Sequence, residues 1–167
     1  VKAFKLLKED RKNKHLKLVL AGQKILNGNL DVLNELESYI FTNNLSKSIL
    51  MTGYLSGAEI CSLYKKALIY VFPSIEEGFG IPVLEAFAMK TPVVSSNAAA
   101  MVEIAKGAAQ HYNKGDYTEL FKTLNKLIIS KPKRIHLIEK GSERLKAFSR
   151  EKFIKDYEQF ILNSVKN

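Results

Sequence analysis

Short apolar runs alternate along the chain with longer stretches in which apolar residues recur every three to four positions. The runs have the length of β-strands, and the longer periodic stretches have the pattern of amphipathic helices. Because the runs are apolar at consecutive positions, we expect strands that are buried on both faces. The predicted strands cover residues 16–21, 49–52, 68–72, 92–95 and, as an edge strand, 108–112.

Helix start signals fall between these runs. Ser56 and Glu59 have the spacing of a capping box, Asn29 is a suitable cap, and Pro82 suits a first helical turn. Strands that alternate with helices predict βαβ units and a parallel sheet flanked by helices. Ligands of such sheets bind at the carboxyl ends of the strands, so we expect the loops after residues 21, 52, 72 and 95 to converge. The predicted helices cover residues 1–8, 30–41, 57–67, 82–90, 99–105, 117–128, 132–148 and 149–164.

Composition and charge exclude several classes of protein. The 167 residues suit one globular domain, and no apolar run has the roughly 18 residues of a membrane span. Cys61 is the only cysteine, which excludes an internal disulfide and favours a reducing, cytoplasmic compartment. The net charge of +9 comes from lysines and arginines spread between apolar helical positions. We interpret them as solvated helix faces and, without a nucleic-acid motif, expect no nucleic-acid partner.

The segment between the third and fourth predicted strands carries candidate chemistry. Gly78, Phe79 and Gly80 directly precede a helix, and a glycine-rich turn at a helix N-terminus can hold a phosphate. Glu77 and Glu85 flank the turn and can accept hydrogen bonds from sugar hydroxyls. If the helix begins at Pro82, Glu85 lies in its first turn. From the residues alone, a structural turn, a helix-dipole role for Glu85 and a solvated Glu77 remain alternatives.

The run PSIEEGFGIPVLEAFAMKTPVVSSN, residues 73–97, resembles the signature of the retaining glycosyltransferases of family 4. The resemblance extends to Gly53-Tyr54-Leu55-Ser56, to Leu63-Tyr64 and to the strand that ends at Gly22, so it covers nearly the whole chain. Residue 90 is a lysine where the family commonly has glycine, and Lys106-Gly107 stands where it often has Gly-Asp.

The resemblance implies a role for each motif residue. Glu77 contacts the transferred sugar and stabilises charge at the anomeric centre, and Glu85 binds the ribose hydroxyls. Backbone amides of Gly78, Phe79, Gly80 and Ile81 hold sugar hydroxyls or the diphosphate. Gly53 and Tyr54 lie near the base. The resemblance implies no metal and no cofactor, which agrees with the scattered positions of the three histidines.

The resemblance also implies the architecture. We expect one Rossmann-like α/β domain over residues 1–167, the truncated C-terminal half of a two-domain GT-B enzyme whose N-terminal acceptor domain is missing. The expected function is transfer of a glycosyl group from a nucleotide diphosphate sugar to a saccharide or lipid-linked acceptor with retention. We expect the fragment alone to be inactive, and a peripheral membrane association of the longer protein stays open.

Two further expectations follow from truncation. The terminal helix, residues 149–167, would pack on the missing domain and leave Phe153, Tyr157, Phe160 and Ile161 partly exposed. The phosphate-binding arginine and lysine of the family lie upstream of this chain, and no motif supports Lys24 in their place.

Two alternatives to the transferase remain at this point. One is another GT-B-type enzyme, a sugar-nucleotide epimerase or a phosphorylase. The other is a non-catalytic anion-binding module whose basic faces contact phosphates.

Overall fold

The structure of the protein, a computed structural model, describes residues 1–22 and 30–165. Helices and parallel strands alternate through this part of the chain, as predicted. The predicted cap Asn29 and the residue Lys24 lie outside the described residues. The strands are β1 (Leu18–Ala21), β2 (Ile49–Gly53), β3 (Tyr70–Phe72), β4 (Val93–Ser96) and β5 (Gln110–Tyr112). The helices are α1 (Lys2–Glu9), α2 (Leu30–Thr42), α3 (Gly57–Lys66), α4 (Ile81–Ala88), α5 (Ala99–Ala105), α6 (Tyr117–Ile128), α7 (Lys131–Leu145) and α8 (Arg150–Val165).

The strands form two parallel sheets. β1 pairs with β2, and β4 lies between β3 and β5, so β5 is an edge strand as predicted. The α/β class with a parallel sheet flanked by helices is confirmed. β1, β3 and β5 are shorter than the apolar runs that predicted them, whereas β2 is one residue longer and β4 is shifted by one residue. Leu68 lies outside β3 with its side chain exposed.

Two apolar clusters lie on opposite sides of β4. Val93 packs in the first cluster with Val83 and Phe87 of α4 and Met101 of α5. Val94, the next residue, packs in the second cluster, whose members come mainly from α1, α6 and α7. Successive side chains of a strand point to opposite faces, so helices must cover both sides of this sheet. This sandwich of helix, sheet and helix fixes the positions of the loops that follow β3 and β4.

The β1–β2 pair differs from the prediction of strands buried on both faces. Leu18 and its register partner Ile49 pack against the second cluster, whereas Val19 and its partner Leu50 are 37% and 57% exposed. The described elements cover only one face of this pair.

Helix α2 is also less buried than its pattern predicts. Of the apolar residues predicted to face inward, only Ile40 is buried, and Leu30 and Phe41 are exposed. Neither core cluster includes a residue of α2, so its apolar stripe is not matched by a packing surface among the described residues.

The ends of the helices follow the predicted signals. Ser56 and Glu59 form the capping box at α3, and Asp116 accepts hydrogen bonds from the backbone N–H groups of Thr118 and Glu119 at α6.

In α8, Phe153, Tyr157 and Ile161 are exposed, as expected, while the side chain of Phe160 is outside the described set. No helix in the described ranges combines the length and apolarity that a bilayer crossing requires.

Candidate functional site

The loop between β3 and α4, residues 73–80, ends in a glycine that the backbone requires. Gly80 caps α4 in the left-handed region, with φ +87°, which disfavours any residue with a Cβ. A Cβ there would also lie 2.4 Å from the Cε atom of the buried Met101. Gly78 differs, because its φ is not positive and a Cβ would meet no atom within 4 Å. The fold therefore explains Gly80 but gives no steric reason for Gly78.

Two serines fasten this loop to the end of β4. The Ser74 hydroxyl donates to the backbone oxygen of Glu76 over 2.7 Å, and the buried Ser96 hydroxyl donates to the backbone oxygen of Ser74. Sequence reasoning did not assign a role to Ser96. The available signal was a pair of serines at the carboxyl end of a strongly apolar strand, the edge at which such sheets bind ligands.

The carboxyl ends of the strands meet in two pairs. The loops after β3 and β4 are joined through Ser74 and Ser96, and the backbone N–H of Gly22 after β1 donates to the oxygen of Gly53 over 3.2 Å. In the described part of the chain, no hydrogen bond links Gly53 or Tyr54 to the loop at residues 73–80. The structure thus brings the predicted residues together as two groups.

Glu77 and Glu85 are both exposed. The predicted place of Glu85 in the first helical turn is wrong, because α4 begins at Ile81, one residue earlier than the prediction, and its first turn contains no acid. Glu85 is instead the fifth helical residue. A role in offsetting the helix dipole is correspondingly weaker, because that effect is confined to the first turn.

Two tyrosines lie beside these carboxylates. The Tyr64 hydroxyl is 3.2 Å from Oε2 of Glu85 and 3.4 Å from the backbone oxygen of Pro82. The rings of Tyr64 and Tyr70 meet edge to face with centroids 4.9 Å apart. From the sequence, Tyr64 is named only as part of the resemblance and is given no role at the site, because its proximity to Glu85 depends on contacts between α3 and α4.

The electrostatics of the tyrosine pair reflect both carboxylates. Burial raises the pKa of Tyr64 far above its usual range, and Tyr70 and the charge of Glu85 raise it further. Burial also raises the pKa of Tyr70, a hydrogen bond with Tyr64 opposes this, and the charges of Glu85 and Glu77 add to the rise. Both tyrosines therefore stay protonated at neutral pH, and Tyr70 is close enough to feel both predicted site carboxylates.

The ring of Phe79 contacts Phe148, which follows α7. The Phe79 ring is 48% exposed and meets Phe148 edge to face at 6.0 Å. The Arg144 guanidinium lies 4.6 Å from the centroid of the Phe148 ring and donates from Nε to the backbone oxygen of Ile104 over 2.7 Å. The loop conformation is thus coupled to α5 and α7, which the sequence pattern does not reveal.

Gly53 and Tyr54 lie beside an open cavity, away from the loop at residues 73–80. Gly53 has φ +71° at the end of β2, and Tyr54 is 78% exposed. An open cavity of about 380 Å³ lies next to them, and its walls come from the end of β2 and from the start of α3. Its lining residues are Thr52, Leu55, Ala58, Glu59, Ser62 and Leu63.

Metal ligands are not grouped in the described ranges, where no set of three or more His, Cys, Asp or Glu residues could hold an ion. The candidate site is therefore built from two carboxylates, two tyrosine hydroxyls and the backbone N–H groups at the start of α4. These groups can accept hydrogen bonds from hydroxyls and donate hydrogen bonds to anionic oxygens.

Comparison with protein families gives one match over most of the chain. Residues 1–144 match the model of the family described as Glycosyl transferases group 1. An O-antigen chain mannosyltransferase, RfbU, of Salmonella typhimurium is 35% identical over 92 residues, which is 55% of this chain and 26% of the relative. An uncharacterised glycosyltransferase, MJ1607, of Methanocaldococcus jannaschii is 37% identical over 90 residues, 54% of this chain and 22% of the relative. The chain thus spans about a quarter of the length of these curated relatives.

Solved structures share the fold. The C-terminal domain of a glycosyl transferase group 1 family protein, LpcC, from Francisella tularensis superposes with a TM-score of 0.76 at 26% identity, covering 87% of this chain and 74% of that chain. Anabaena Alr3699/HepE, solved in complex with UDP, gives a TM-score of 0.79 at 20% identity, covering 98% of this chain and 43% of that chain. The second likeness concerns the fold alone.

Proposed function

The chain belongs to the family Glycosyl transferases group 1, and on this premise we propose that it is the donor-binding domain of a glycosyltransferase. The longer protein would move a glycosyl group from a nucleotide diphosphate sugar to a saccharide or lipid-linked acceptor, with retention at the anomeric carbon. The observation that carries the proposal is the segment 77–85, where two exposed carboxylates flank the N-terminus of α4 beside Tyr70.

The segment offers complementary groups for a sugar diphosphate. In the proposed mechanism, Glu77 lies near the anomeric carbon and stabilises the positive charge that develops when the bond to the diphosphate breaks. Backbone N–H groups at Phe79–Ile81 point from the start of α4 and hold sugar hydroxyls or diphosphate oxygens, where the helix dipole favours negative charge. Such fixed donors stabilise a leaving anion without needing to reorganise.

The nucleotide would extend from this segment towards α3. Glu85 is proposed to accept hydrogen bonds from the ribose hydroxyls, and the base would lie near Gly53 and Tyr54. The cavity of about 380 Å³ beside them is large enough for a base, and its lining combines three apolar side chains with the polar side chains of Thr52, Glu59 and Ser62. The UDP complex of Alr3699/HepE shows that a protein of this fold binds a nucleoside diphosphate, which supports this arrangement.

Several properties of the longer protein belong to the same proposal. An N-terminal acceptor domain would complete the cleft, and the exposed residues Phe153, Tyr157 and Ile161 of α8 would pack against it. Catalysis would need no metal or other cofactor, and the protein would act in the cytoplasm, with room for a peripheral membrane association. The isolated 167-residue chain would be inactive, so turnover by that chain alone would contradict this part of the proposal.

The test uses the full-length protein. A thermal-shift panel of UDP- and GDP-sugars identifies the donor, because only a ligand that binds the folded state raises its melting temperature. NMR of the product with that donor then gives the anomeric configuration. An inverted product would contradict retention, and an epimerised nucleotide sugar or a sugar phosphate would contradict glycosyl transfer.

The role of Glu77 can be tested with a matched neighbour. Glu77→Gln removes the charge proposed to face the anomeric centre, so we expect kcat to fall about a hundredfold or more while donor binding is largely kept. Glu76→Gln removes an equally exposed charge one residue away and should leave kcat within about twofold of the wild type. Equal losses in the two variants would show that Glu77 has no special role.

A further inference from the structure

Tyr64 connects the apolar core to an exposed carboxylate of the proposed site. Its side chain is buried, and its backbone oxygen accepts a 2.7 Å hydrogen bond from the buried hydroxyl of Thr91. Its ring is fixed edge to face against Tyr70. The phenol oxygen therefore has a position that the core determines, and it ends 3.2 Å from Oε2 of Glu85.

Glu85 has little other support. It is exposed on α4, and no other side-chain hydrogen bond or ion pair to its carboxylate is present among the described residues. A glutamate in this position would otherwise sample several rotamers, and fixing such a side chain costs conformational entropy. Two other acceptors lie near the Tyr64 hydroxyl: the backbone oxygen of Pro82, at 3.4 Å, and the hydroxyl oxygen of Tyr70.

The hydroxyl has one proton to donate, and the charged carboxylate is the stronger acceptor. The bond engages Oε2 and leaves Oε1 and the remaining lone pairs of Oε2 for a ligand. Burial raises the pKa of both Tyr64 and Tyr70, so the Tyr64 hydroxyl keeps its proton at neutral pH and remains a donor.

We infer that Tyr64 is a positioning residue that holds the Glu85 carboxylate in the orientation that recognises the ribose hydroxyls of the donor. The inference rests on the proposed function, because it assigns ribose binding to Glu85. It goes further in making selectivity for ribose, rather than overall nucleotide affinity, depend on a side chain of the core.

The test compares nucleotides that differ only in the ribose hydroxyls. UDP, GDP and ADP and their 2′,3′-dideoxy counterparts are titrated into the full-length protein by calorimetry. The wild type should prefer the ribonucleotide by about tenfold or more, since loss of the hydroxyls leaves a polar group unpaired. In Tyr64→Phe this ratio should fall about fivefold, a factor typical of one net hydrogen bond, while the dideoxy nucleotide binds as before.

The result that overturns the inference is an unchanged ratio in Tyr64→Phe, or an equal loss of affinity for both nucleotides, which a merely structural tyrosine would cause. Tyr112→Phe is the matched control, since Tyr112 is equally buried but belongs to the other core cluster and should keep the ratio. A wild type that binds none of the three nucleotides would instead contradict the proposed function itself.

A second variant covers the case in which Tyr64→Phe fails to fold. Glu85→Asp shortens the side chain and draws the carboxylate away from Tyr64 while it keeps the charge and the core intact. It should lose the ribose preference to a similar degree, while the dideoxy nucleotide binds as it does to the wild type. A preserved ratio in Glu85→Asp would overturn the inference.

Discussion

The two sheets are built from similar apolar strands but differ in how they are covered. Every side chain of β4, Val93–Ser96, is inaccessible to solvent, although two of the four are serines. In β1 and β2, Val19 and Leu50 are exposed although both are strongly apolar. Burial here follows the number of helical layers on a strand and not the hydrophobicity of its residues.

The same contrast separates the two groups of candidate residues. The loop at residues 73–80 leads from β3 to α4, next to the fully buried strand β4, and contacts Ser96, Met101 and Phe148. Gly53 and Tyr54 follow the half-covered pair, and a Cβ at Gly53 would meet no atom within 4 Å. The proposed sugar site is therefore held by packing, whereas the proposed base site is open.

The largest expected effect tests the difference in burial. Phe87→Ala empties a space that is closed on all sides between β4 and α7, so the free energy of unfolding should fall by about 3–5 kcal/mol. Phe41→Ala in α2 removes the same kind of ring from a 78% exposed position, so the free energy of unfolding should change by no more than about 0.5 kcal/mol. Urea denaturation measures both, and similar losses would contradict the contrast in coverage.

A smaller effect is expected at the two loop glycines. Gly80→Ala combines a left-handed φ with a clash against Met101 and should cost about 2–4 kcal/mol. Gly53→Ala carries only the backbone strain, at about 1–2 kcal/mol. Thermal melts give the ranking, and a greater loss at Gly53 would show that its loop is more tightly packed than the structure indicates.

The smallest effect concerns pH. Burial lowers the pKa of His111, and a hydrogen bond to the Ser96 carbonyl partly opposes this shift. The buried Nε2 atom of the ring has no hydrogen-bond partner that could stabilise the protonated imidazolium. The unfolded chain takes up this proton near pH 6.5, the folded chain only at lower pH. The contribution to stability is thus complete above about pH 6.5 and declines as the pH falls through the folded pKa.

The test is the pH dependence of the melting temperature. His111→Gln should flatten the fall in melting temperature between about pH 7.5 and pH 5.5, because the variant lacks the buried imidazole. An identical pH profile for His111→Gln and the wild type would count against the burial effect.

Local signals in the sequence predicted most of the elements. The capping box at Ser56, the helix that follows Asp116 and the span of α5 depend on residues a few positions apart, and all are found. The exposure of Leu50 and Phe41 could not be predicted, because an apolar pattern shows which face can be buried but not whether another element covers it.

The residues of the candidate site also fall into those that local sequence predicts and those that it does not. Glu77, Gly80 and Glu85 were predicted because their spacing is local and specific. Tyr64, Ser96 and Phe148 reach the site only through packing between elements that are distant in sequence, so local spacing does not predict which groups they contact. Physical reasoning from sequence is therefore strongest for the groups proposed to touch a ligand and weakest for the groups that hold them.

The division of the strands into two sheets has a consequence for self-association. Among the described residues β1 and β2 pair only with each other, and edge strands expose backbone groups that can pair with another polypeptide. Lys17 and Lys47 stand just before these strands, and the Lys17 ammonium donates to the backbone oxygen of Lys47 over 2.6 Å. Because positive charge at the start of an edge strand opposes pairing between identical chains, we expect these two lysines to disfavour self-association through this sheet.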